Sequence, residues 1–136
     1  GPGMLHLYHS LAQTRGVAPR DVDPAEMTRL ALAGEDGLCV DALRIYCNLL
    51  GSLAGDYALL FGAHGGLYLS GSILQRLGLE QLREGFAKRF VDKGAVSDEV
   101  SRIPVLLVKR DHPGLLGAAA WLLNSLGQGD ASWKVA

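Results

Sequence analysis

The sequence predicts a helix-rich α/β fold with a small sheet, cut from a larger α/β layer. Three observations point there. Most of the 136 residues lie in segments whose apolar side chains recur at helical spacing. Two short apolar runs, 66–70 and 105–108, are instead bracketed by glycine, serine or proline, which punctuate strands. The order is helix, helix, long helix, strand, helices, strand, helix. The two strands are therefore expected to pair in parallel, with the helices between them as the crossover. Two strands alone leave open edges, so the chain reads as part of a wider layer.

Taken in order, residues 3–13 carry Met4, Leu5, Leu7, Tyr8 and Leu11 at amphipathic spacing and predict a first helix. The stretch TRGVAPRDVD is a loop by its glycine, proline and charges. Asp23 then suits a helix N-cap, Pro24 the first turn and Glu26 the positive end of the dipole, and Gly34 ends that helix. The longest helix is expected over 38–61, between Gly37 and Gly62. Its apolar stripe is read as Leu38, Ala42, Ile45, Tyr46, Leu49, Leu50, Leu53, Tyr57 and Leu60. Gly51 and Gly55, four apart, let a neighbour come close, either inside the core or at a subunit interface.

The run 66–70 predicts a short buried strand. Ser72 opens a helix to about Arg76, and a further helix covers 79–90. Val105 to Val108 is the second strand, with Pro104 suited to its entry. Pro113 starts a last helix, whose segment LLGAAAWLLNSL is so apolar that burial is expected. The tail 128–136 reads as loosely held.

Composition narrows the function. The net charge is −1 and hydrophobic residues make up 49% of the chain, enough for a core and far from the basic balance of a nucleic-acid or polybasic membrane binder. No apolar run approaches the ~18 residues of a membrane span, and the start lacks the marks of a signal peptide. Gly1-Pro2-Gly3 reads either as native sequence or as the remnant of a cleaved tag. Cys39 and Cys47, eight apart on one helix, lie roughly 12 Å apart along its axis and cannot bridge each other. Two unpaired thiols, read as small core residues, fit the reducing cytoplasm.

The candidate site is AHGGLYLSGSI, 63–73. Gly65 and Gly66 open its strand, and Ser70, Gly71 and Ser72 close it at a helix start. Such residues serve either close packing or the approach of a ligand to the backbone. Ligands of α/β sheets bind at the carboxyl ends of strands, where a helix N-terminus offers free N–H groups. The spacing fits neither the dinucleotide fingerprint nor a P-loop. His6 and His9 lack a third ligand and there is no CxxC pair, so no metal site is expected. His64 and His112 flank glycine turns. Asp92, Lys93 and Asp111 are expected to be solvated.

Several motifs, in order and at matching spacing, resemble the C-terminal part of bacterial glucokinases. They are GPGMLHLY at the start, RLALAG, CVDALRIYCNLLGSLAGDYAL, GGLYLSGSI, the set Phe86, Phe90, Asp92, Lys93 and Gly94, then IPV and PGLLGAAA. The resemblance runs from residue 1 to about Gly127. It implies an actin-like (ribonuclease-H-like), two-lobed sugar-kinase fold, of which 1–127 would form most of the C-terminal lobe. It further implies a cytoplasmic, Mg²⁺-dependent parent that binds ATP between the lobes, phosphorylates glucose and forms a homodimer through this lobe. Gly65, Gly66 and Gly71 match the turn beside the nucleoside. Ser72 stands where the family usually has a second glycine, and is expected to preserve the turn as a helix cap. His112 replaces the commoner asparagine before Pro113.

The family's phosphate loop, its Asn-Asp pair with the catalytic base and its glucose-binding Glu and His lie upstream and have no counterpart here. The resemblance therefore assigns this chain no catalytic and no metal-binding residue. The family's interface is expected at the Gly51–Gly55 helix and the strand edges. A different class of function, a non-catalytic dimerisation or sugar-sensing module descended from such a kinase, is the alternative.

Overall fold

The structure, a computed structural model, describes residues 2–127 (for 79 and 81 the backbone only). Its elements are α1 (Pro2–Arg15), α2 (Pro24–Ala33), α3 (Gly37–Leu60), β1 (Leu67–Leu69), α4 (Ser72–Leu82), α5 (Lys88–Val91), α6 (Ser97–Val100), β2 (Val105–Leu107) and α7 (Pro113–Ser125). A π-helical turn, Arg83–Ala87, joins α4 to α5, and a 3₁₀ turn, Gly94–Val96, precedes α6. Gly78 (φ 70°, ψ 177°) breaks the helical path within α4, so its first turns and the helix from 79 onward point differently. That break is the one expected between the two predicted helices.

Local chemistry sets the boundaries. The Asp23 carboxylate accepts from the N–H groups of Ala25 and Glu26 at 2.8 Å, and Gly34 (φ 69°) ends α2 in the left-handed region. Asp36 does the same for α3, accepting from Leu38 and Cys39 at 2.9 and 3.1 Å. The sequence reading assigned no role to Asp36.

α3 is the central element, packed by α1, α2, the π-helical turn and α5. Its length and composition would suffice to cross a bilayer, although one side of it is packed within the chain. The buried side matches the predicted stripe only in part: Ala42 is buried and Leu38, Tyr46 and Leu50 pack against the core, but the rest differs. Cys39, Ala42, Leu43, Cys47, Gly51, Ala54, Gly55 and Ala58 are buried, whereas Leu49, Leu53, Tyr57 and Leu60 are 53–72% exposed. Small side chains win that side because backbones press on it. A Cβ on Gly51 would collide with the backbone of Phe86, and one on Gly55 with the Phe90 carbonyl and the Lys93 stem. Gly51 and Gly55 thus serve packing inside the chain and are covered there. The core continues through Met4, Tyr8, Met27, Leu77, Phe86, Phe90, Val100 and Ile103, with the two phenylalanine rings stacked at 5.6 Å. The Tyr8 hydroxyl accepts from the Arg20 N–H at 3.0 Å. Both cysteines are free and buried.

β1 and β2 pair in parallel as expected, in the register Leu67–Val105, Tyr68–Leu106, Leu69–Leu107. Alternation sends Leu69 inward and leaves Tyr68 and Leu106 at 68% and 44% exposed, so β1 is not the fully buried strand predicted. Across that outer face lies α7. A groove of about 670 Å³, lined by Tyr68, Leu106, Leu116 and Ala120 among others, separates the two. α7 has no buried residue: Leu115 and Trp121 are 72% and 71% exposed, contrary to the expected burial. Composition made α7 apolar all round, but in the structure its groove-lining residues Leu116 and Ala120 are only half-buried. The tail 128–136 lies outside the described residues.

Candidate functional site

Parallel strands that end side by side, with a helix starting between them, make the crevice in which α/β sheets take ligands. Here β1 runs out into Ser70, Gly71 and Ser72, and β2 into Lys109, Arg110, Asp111 and His112. The Leu69 carbonyl accepts from the Val108 N–H at 2.8 Å, which holds the two exits together. Gly71 has φ 147°, a conformation that disfavours L side chains, and its carbonyl accepts from the Gln75 N–H at 3.1 Å to start α4. Nothing lies within 4 Å of where a Gly71 Cβ would stand, so the glycine answers a backbone need in open space, not crowding. Ser72 is the first helical residue rather than the expected cap.

The other two predicted residues sit at the opposite end of β1. From Gly66 to Gly71 the extended chain covers about 16 Å. Gly66 (φ 127°) faces the start of β2, where a Cβ would meet the ring and carbonyl of Pro104 at 3.3 Å. The Leu67 N–H donates to that same carbonyl at 2.9 Å. Gly65 has open space beside it. The fold therefore brings Gly71 and Ser72 together at the strand exits and leaves Gly65 and Gly66 at the entry. The two explanations for small residues divide along the strand, close packing at Gly66 and accessible backbone at Gly71.

Beside the exits opens a hollow of about 480 Å³ lined by Gln75, Gly78, Leu107, Lys109 and Asp111. Lys109 and Arg110 are exposed, and no described acidic side chain pairs with either among the described residues. Gln75, Lys109 and Arg110 were missed by sequence reading, since a lone glutamine and a basic pair carry no local signal. His112 adopts φ 49°, ψ 47°, the left-handed region that histidine, asparagine and aspartate enter more readily than other non-glycine residues.

Other singled-out charges have structural work. Lys93 was expected to be solvated, but its side chain is only 10% exposed. It crosses Gly55 to donate to the Ser52 carbonyl at 2.8 Å and to Asp56 at 2.6 Å. Asp92 pairs with Arg89 at 2.9 Å. Hydrogen bonds from Arg15 and Arg44 hold the Asp41 carboxyl below its usual range, and Arg29 does the same for Glu26 and Glu35. Burial pushes the Cys39 thiol up to about 11 and raises Cys47 as well, the opposite of an activated nucleophile. His6 and His9 are exposed on α1.

The family model described as Glucokinase matches residues 1–125. A glucokinase of Saccharophagus degradans is 43% identical over 122 residues, which is 90% of this chain and 38% of that protein. A glucokinase-like protein of Xylella fastidiosa is 39% identical over 124 residues, 91% of this chain and 37% of that one. The crystal structure of a glucokinase from an Antarctic psychrotroph superposes with a TM-score of 0.78 at 43% identity, covering 91% of this chain and 38% of its own. The chain thus spans about two fifths of the length of the relatives it matches.

Proposed function

The chain belongs to the glucokinase family, and from that premise we propose that it supplies the nucleoside side of the cleft of an ATP-dependent glucokinase, which transfers a phosphoryl group from ATP to the 6-hydroxyl of glucose. The observation that carries this reading is the accessible turn at Gly71. The turn lies exposed at the carboxyl end of a parallel strand and at a helix start, and the neighbouring strand runs out into the exposed Lys109 and Arg110. A purine-ribose unit can lie flat on such a surface without displacing a side chain, and Lys109 and Arg110 suit an anionic ligand. Gly66 acts on the same site from a distance, by fixing how β1 enters beside Pro104, while Gly65 has open space beside it.

Phosphoryl transfer also needs a base on the sugar hydroxyl and groups around the γ-phosphate. We assign those to the part of the relatives' length that this chain does not span. ATP supplies the phosphoryl group. Mg²⁺ would be held chiefly by the phosphates of that ATP. What the residues of this chain do is bind and orient the nucleoside and keep water from its face. We further propose a cytoplasmic homodimer, supported by the free buried thiols and the exposed apolar side of α3.

Two measurements on the 136-residue chain test the proposal. A coupled assay should show no glucose phosphorylation above blank. Calorimetry should show weak ATP binding that Gly71→Val abolishes, because valine cannot hold φ 147°. Turnover, with contaminating kinase excluded, would show that the catalytic groups lie here after all. Unchanged ATP binding in the variant would move the site elsewhere.

A further inference from the structure

A chain of hydrogen bonds links the carboxyl ends of the two strands. The Leu69 carbonyl accepts from the Val108 N–H at 2.8 Å. The Val108 carbonyl accepts from Gln75 Nε2 at 3.1 Å. The Gln75 backbone N–H donates to the Gly71 carbonyl, also at 3.1 Å. Gln75 Nε2 makes one more bond, to the Arg110 carbonyl at 3.1 Å. A single residue in the first turn of α4 therefore ties the Gly71 turn to a loop more than thirty positions further along. Both side-chain partners are carbonyl oxygens, so the donor amide group must face them, and its two hydrogens serve both.

We propose that Gln75 is a positioning residue for nucleotide: its side-chain amide holds the loop 108–112 at a fixed separation from the Gly71–Ser72 turn, so that the two walls of the site keep their distance. The inference rests on the reading of that turn as the nucleoside wall. The loop needs such a tie. β2 ends at Leu107, the chain then turns through the left-handed His112, and the carbonyls of Val108 and Arg110 lie beyond the β1–β2 ladder. The helical block that carries Gln75 is short, because Gly78 interrupts it three residues on. Neither wall is rigid through its own secondary structure, and the amide couples them. The hollow lined by Gln75, Lys109 and Asp111 opens beside this coupling.

The test compares the wild-type chain with Gln75→Glu and Gln75→Lys, using ATP as the probe. Calorimetry gives affinity, amide hydrogen exchange reports on 108–112, and circular dichroism confirms that each variant is folded. Glutamate keeps the shape but turns a carboxylate toward two carbonyls, whereas lysine restores donors. Gln75→Glu should weaken ATP binding about tenfold at neutral pH and speed exchange across 108–112, and Gln75→Lys should recover most of the loss. The Glu deficit should shrink toward about pH 5, where the carboxyl regains a proton and can donate again. The wild type, measured in parallel, corrects for titration of ATP itself. Binding of ATP by Gln75→Glu within twofold of wild type would overturn the proposal. So would a deficit that neither lysine nor low pH relieves, since that is mere loss of structure. If the wild type binds no ATP while Gln75→Glu still loosens the loop, the nucleoside-wall reading fails, and the positioning role falls with it although the tie is real.

Discussion

A Cβ on Gly51 would stand 2.9 Å from both the Cα and the carbonyl carbon of Phe86, and neither backbone atom can yield cheaply. Gly51→Ala should therefore cost about 1–3 kcal/mol in urea unfolding. A change below about 0.5 kcal/mol, the size of an ordinary surface substitution, would mean that the segment 83–91 does not rest on α3 there. The spacing of Gly51 and Gly55 made close approach legible in the sequence. What approached them was not legible, because Phe86, Phe90 and Lys93 reach them across a π-helical turn that no local pattern announces. The thiols give a second test. With burial pushing Cys39 up to about 11, the thiolate fraction at pH 8 is on the order of one in a thousand. Both cysteines should resist a thiol reagent such as DTNB in the native chain and react at once in urea. Fast native labelling would contradict the packed α3.

Among elements, α2 was the most legible, since its boundaries rest on chemistry within four residues. Asp23→Ala should remove the cap that serves Ala25 and Glu26 and cost about 1 kcal/mol, measurable by thermal or urea unfolding. An unchanged midpoint would show that Pro24 alone sets the start. The parallel strand pair was legible too, from two apolar runs and the helices between them. The buried face of α3 was legible only in part, at Leu38, Ala42, Tyr46 and Leu50. A helix with apolar residues on several sides offers more than one stripe, and size rather than hydropathy decided which side was packed. The same limit applies to α7, where composition shows that a surface wants covering and says nothing of what covers it. At the strand exits the Gly71 turn was readable as a backbone feature. Gln75 was not, because its partners lie 33 and 35 residues away.

For the molecule as a whole, two apolar surfaces stay open: the side of α3 bearing Leu49, Leu53, Tyr57 and Leu60, and α7 with the groove beneath it. Patches of that kind mark interaction surfaces. The isolated chain should therefore self-associate at micromolar concentration, and light scattering should show a mass above 14.5 kDa that rises with concentration. A constant monomer mass would remove the homodimer proposal for this chain. Nucleotide bound at the carboxyl ends of β1 and β2 would be visible by backbone amide NMR with added ATP. Shifts should concentrate at 69–75 and 108–112, with α1 and α2 unmoved. Shifts confined to other surfaces, such as the hollow between His64 and Arg102, or none at millimolar ATP, would contradict that placement.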